Sequence, residues 1–84
     1  MQFIKSTPIF NNNTCPNGIK KAHKTSKGVC AKLIVIKGML EFIYEDNNET
    51  HIIDTSKIFE IDEQRYHHVN LLWDVEFKIK FYKK

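Results

Sequence analysis

Four histidines, two cysteines and a single arginine are the groups in this 84-residue chain with the most distinctive chemistry. Imidazole both ligates metals and moves protons near neutral pH, so His23, His51, His67 and His68 come first. His67 and His68 are neighbours, and on a strand neighbouring side chains face opposite ways. His67 shares its parity with Val69 and Leu71, whereas His68 shares it with Asn70. If the apolar pair faces a core, His67 faces inward, and His68, like His51, is expected in solvent. Cys15 and Cys30 bracket His23 with seven and six intervening residues, which lacks the close-paired spacing of a zinc module. Soft sulfur would suit a soft metal, but Cys30 reads as core filler. No arrangement resembles a catalytic triad, a paired-carboxylate site or a phosphate-cradling loop, so the sequence leaves open whether any reaction is catalysed.

These groups must be held by strands, because the helix signals are poor. Alanine occurs only at positions 22 and 31, and no stretch sustains a 3.6-residue period. Lys32 to Lys37 is a β-branched run closed by Gly38 and reads as a strand buried on both faces. Leu40, Phe42 and Tyr44 then alternate before the turn Asp46-Asn47-Asn48-Glu49, and the chain returns through His51 to Ile53. Lys57 to Ile61 supplies another strand. Val75, Phe77, Ile79 and Phe81 alternate with Glu76, Lys78 and Lys80, which is the clearest period of two in the chain. Asn11-Asn12-Asn13 opens a turn region. Many short strands joined by turns predict an all-β sandwich or barrel. Tyr44, Tyr66, Trp73 and Phe77 could line an apolar cavity within it, although aromatics in so small a domain usually form its core.

The totals narrow the class. This length makes one domain with a thin core, which favours a homodimer. Hydrophobic residues are 42% of the chain, enough for a globular core and too many for disorder. The opening MQFIKSTPIF has no apolar run long enough for a signal peptide, and Leu33 to Ile36 is far too short to span a membrane. A cytoplasmic protein with its thiols reduced is therefore expected. The net charge is +3, yet residues 1–37 carry seven lysines and no acid, while 38–63 carry eight acids and only Lys57. The basic half lacks interleaved aromatics and arginine, so nucleic acid is not the expected partner; acidic and basic strands lying side by side account for the pattern.

The order of short motifs carries a resemblance. Ser6-Thr7-Pro8-Ile9-Phe10, Thr14-Cys15-Pro16-Asn17-Gly18-Ile19, His23, Lys27-Gly28-Val29, Lys32-Leu33, Gly38-x-Leu40-x-Phe42, Tyr66-His67-x-Val69 and Phe77-x-Ile79-x-Phe81-Tyr82 run through nearly the whole chain. In that order they resemble the TehB/YeaR-like domain, the cupin-like domain of bacterial tellurite-resistance proteins. The resemblance implies a cupin double-stranded β-helix and a link to tellurite or related stress. Some members carry this domain ahead of a methyltransferase. This chain has no Gly-rich strand–turn–helix for S-adenosylmethionine, so neither that cofactor nor that activity is expected of it.

On the cupin pattern, Asp62 to His67 falls on the second motif, P-x-G-x-x-H, with Asp62 and Gln64 in place of its Pro and Gly. Motif position and parity thus agree on His67. The glutamate of the first motif falls on Ala31, and a second histidine would fall on Thr25, so a cage of three histidines and one glutamate is not encoded. His23 and His67 could still hold one divalent metal, Zn or Fe, in an open site. Lys32, basic in the resemblance, and Arg65 could join the two histidines to bind a small anion, or Lys32 could extend its ammonium to solvent from a strand end. Three functions follow: a barrel module that binds a small anion or a metal, a metal-dependent cupin enzyme of oxygenase or isomerase type, and a dimeric interaction module. The first two require the ring nitrogens of His23 and His67 to lie within about 7 Å.

Overall fold

The computed structural model covers all 84 residues and contains seven strands and one helical turn. The strands are β1 (Gln2–Ser6), β2 (Phe10–Asn11), β3 (Val29–Tyr44), β4 (Glu49–Asp54), β5 (Ile58–Ile61), β6 (His67–Asn70) and β7 (Val75–Lys83); α1 is Asn17–Lys20. The all-β expectation holds, and every strand pair is antiparallel. No helix is long and apolar enough to cross a membrane.

β3 organises the domain. Its first half pairs with β7 on one side and β5 on the other. Its second half pairs with β4 and β6. The change of partners falls at a register shift between Val35 and Lys37, just before Gly38 at φ 77°. The shift also inverts the inward parity, from Ala31, Leu33 and Val35 to Leu40, Phe42 and Tyr44. Both sets therefore face one core, which Ile53, Ile61, Val69, Val75, Phe77 and Ile79 complete. Gly38 has no substitute there, because a Cβ would lie 2.0 Å from the Asp74 carbonyl oxygen.

Two expectations are corrected. Lys32 to Lys37 is not buried on both faces: it alternates, and Ile36 is 42% exposed where the bulge turns it outward. Gly38 does not end a strand but lies inside one of 16 residues. The opening residues form β1, which the sequence did not announce because its residues are exposed on both faces and its partner is β7, at the far end of the chain. The asparagine turn is present, with the Asn11 carboxamide oxygen accepting from the Asn13 and Thr14 amides at 2.8 and 3.0 Å. Of the charge pattern, Lys32 on β3 does lie opposite Glu60 on β5.

Candidate functional site

His67 opens β6 two residues after a loop that is fastened at every step. The Asp62 amide donates to the Tyr44 hydroxyl at 2.9 Å, and the Gln64 amide donates to the Thr25 carbonyl at 2.8 Å. The Glu63 carboxylate accepts from the Gly28 amide and from the Lys84 ammonium, and these donors hold its carboxyl below the usual carboxylate range. Gln64 adopts the left-handed conformation at φ 60°, which non-glycine residues seldom take. His67 follows, only 2% exposed, with its ring tilted against Phe42 at 5.0 Å between centroids.

His23 reaches His67 without belonging to a strand. The two residues exchange both backbone hydrogen bonds, His23 amide to His67 carbonyl at 3.0 Å and the reverse at 2.8 Å. Such a pair puts both side chains on the same face, and the rings meet with Nε2 atoms 3.0 Å apart. Each Nδ1 sits on a backbone carbonyl, that of Lys21 at 3.1 Å for His23 and that of Arg65 at 3.0 Å for His67. Three contacts thus call for a proton each, while two neutral imidazoles bring only two. With both rings neutral, one of the three contacts is therefore left without a proton. Burial, and then the neighbouring His23, push the His67 imidazole down to about 4.

The pair forms one end of a cavity of about 400 Å³, the largest in the molecule. The segment His23 to Ser26 lines one side. Opposite lies the sheet, with Val29 and Ala31 of β3, Ile61 of β5, and Ile79 and Phe81 of β7. Ile4 and Lys5 of β1 complete the lining. The lining contains no aspartate or glutamate. The Lys24 ammonium lies over the Tyr66 ring at 5.3 Å and that of Lys5 over Phe81 at 5.5 Å. Neither joins any of the five ion pairs.

The structure brings His23 and His67 together and leaves Lys32 and Arg65 out of the cavity lining. Lys32 has the opposite parity to Ala31 and Leu33, and its ammonium lies 5.0 Å over Tyr82 instead. Arg65 stacks 3.7 Å over the Tyr44 ring and grips Asp46 with two nitrogens and Asp62 with a third. Its charge is engaged by carboxylates, and its contribution to the pair is the carbonyl that orients His67. Tyr66 and Trp73 are 52% and 43% exposed, and Tyr44 and Phe77 are core. His51 and His68 are half-buried rather than fully exposed, each against a glutamate: Glu49 at 2.6 Å and Glu45 at 2.8 Å. Cys15 and Cys30 are both buried, and burial raises both thiols. The sequence did not single out Lys5, Lys24, Thr25 and Ser26. The last three follow His23 directly, but only the bridge to His67 turns that segment toward the sheet. No group of three His, Cys, Asp or Glu side chains converges on one point, so a metal held here would rest on His23 and His67 and take its remaining ligands from outside the chain.

Fold and site together define a small antiparallel β domain that opens a basic, half-apolar cavity over a histidine pair. The chain belongs to the TehB-like domain family, whose model matches residues 5–79. The crystal structure of TehB from Haemophilus influenzae superposes with a TM-score of 0.86 at 30% identity over 99% of this chain. This chain spans only 32% of that protein's length. A structural-genomics structure of an E. coli (strain K12) protein superposes with a TM-score of 0.87 at 22% identity, covering 95% of this chain and 87% of that one, and so shares the fold. No curated protein matches the sequence.

Proposed function

We infer that the domain is a cupin-type barrel module that binds a small anion over the His23–His67 pair, in a cytoplasmic response to tellurite or related stress. One observation carries the anion: the polar lining consists of His23, Lys24, Thr25, Ser26, Lys5 and His67, with no carboxylate among them. Two exposed lysines without ion-pair partners give the cavity a net positive potential. Membership of the TehB-like family supports the stress setting. The test is titration of the protein with acetate, phosphate and tellurite, read on the imidazole resonances of His23 and His67. Saturable shifts at both rings, with the His23 shift lost in His67→Asn, support the reading; unchanged resonances with all three anions end it.

A metal ion is the second reading, and the count of three contacts against two protons favours it. Both Nδ1 atoms are tied to carbonyls, the usual second interaction of metal-bound imidazole, which leaves both Nε2 lone pairs free for one ion. His23 and His67 would hold Zn²⁺ or Fe²⁺, which would supply a Lewis acid facing the cavity. Elemental analysis of protein purified without a histidine tag tests this: stoichiometric metal that disappears in His67→Ala supports it.

Association into a homodimer remains the expected assembly for a core this small. Phe3 and Ile4 on the edge strand β1 are about half exposed, an apolar edge that a second copy could cover. Sedimentation at micromolar concentration should give about twice the 9.9 kDa chain mass, and a clean monomer would remove the idea.

A further inference from the structure

The cavity has two chemically different sides, and a hydrated inorganic ion matches only one of them. His23, Lys24, Thr25 and Ser26, with His67 bridged to His23, form one polar side from nearly continuous chain. The other is sheet surface: Ala31, Ile61 and Ile79 are buried, and Val29 and Phe81 are half-buried. Register fixes this wall, because Ala31 lies opposite Ile61 on β5 and opposite Phe81 on β7. Aliphatic side chains offer an oxyanion no donor, and they gain free energy only by covering hydrocarbon. A bare oxyanion would sit against the polar side and leave the wall wet, whereas about 400 Å³ suits an organic molecule.

Resting on the anion-binding reading above, we propose that the ligand is an amphiphilic monocarboxylate. Its carboxylate lies on the polar side beside the histidine pair, against Thr25 and Ser26 and within the positive field of Lys24, and its unsubstituted aliphatic or aromatic tail covers Ala31, Ile61, Ile79 and Phe81. Lys5 pairs with Phe81 in the sheet, and its ammonium over that ring adds positive potential on the sheet side. The tail carries no polar groups of its own, because the wall has no side chain to receive them.

Calorimetric titration of the full chain with butanoate, pentanoate, hexanoate, hexan-1-ol and phosphate tests the assignment. Affinity should rise about fourfold with each added methylene. Hexan-1-ol, which has the tail without the charge, should bind at least tenfold more weakly than hexanoate. Lys24→Met should weaken hexanoate about tenfold while leaving the thermal midpoint unchanged. Affinity that is flat along the series, or phosphate binding as tightly as hexanoate, overturns the amphiphile and leaves the anion site standing. Hexan-1-ol binding as tightly as hexanoate, or no binding of any probe, overturns both.

Discussion

His23 and His67 meet twice, through two reciprocal backbone hydrogen bonds and through Nε2 atoms 3.0 Å apart. The backbone contact pins the 21–28 segment to the start of β6, and the side-chain contact forms the end of the cavity. Forty-four residues separate the two in sequence, so one bridge both closes the fold and builds the site.

His67→Asn should therefore separate ligand binding from folding. Asparagine keeps a polar group that can face the Arg65 carbonyl but cannot reach His23. Anion affinity should fall at least tenfold, while unfolding free energy drops by about 1–2 kcal/mol. Denaturant titration beside calorimetry distinguishes the outcomes: a domain that fails to fold shows the histidine to be structural.

Acid should weaken the fold through this same pair. The His67 imidazole lies at about 4 in the folded protein, below the unfolded value of about 6.5. The unfolded chain thus binds the proton first as pH falls. Stability present above about pH 6.5 should be lost progressively down to about pH 4, by roughly 2–4 kcal/mol. Urea titrations across that range, compared with His67→Asn, check it: the mutant should lose much less of its stability between the two limits.

Two left-handed positions should respond in opposite directions. Gly38→Ala drives a methyl into the Asp74 carbonyl at the turn of β3 and should cost about 3 kcal/mol or more. Gln64→Gly relieves a non-glycine residue at φ 60° and should stabilise by about 0.5–1 kcal/mol. Thermal denaturation of both variants reads the signs directly.

Arg65→Lys tests whether the guanidinium belongs to the scaffold. Lysine cannot reproduce the two-nitrogen grip on Asp46 or the stacking on Tyr44. The melting midpoint should fall by a few degrees while anion affinity stays within about twofold. A tenfold loss of affinity would return Arg65 to the binding site.

The β7 period and the Leu40-Phe42-Tyr44 alternation were legible because a strand with one dry face writes that face into its own sequence. The inward direction of His67 was legible for the same reason, since Val69 shares its parity and packs in the core. The family was legible in motifs spread along nearly the whole chain. Lys32 and Arg65 were not so readable. A positive charge in sequence does not say which acceptor claims it, and here Tyr82 takes the one while Asp46 and Asp62 take the other. β1 was silent because its pairing energy comes from β7, more than seventy residues away. What the sequence determined by itself was strand alternation, the inward histidine and the family, all carried by local side-chain pattern. What only the tertiary structure decided was the bulge that inverts β3, the 3.0 Å histidine contact and the two-sided cavity. Those depend on long-range backbone pairing, which no local stretch of residues encodes.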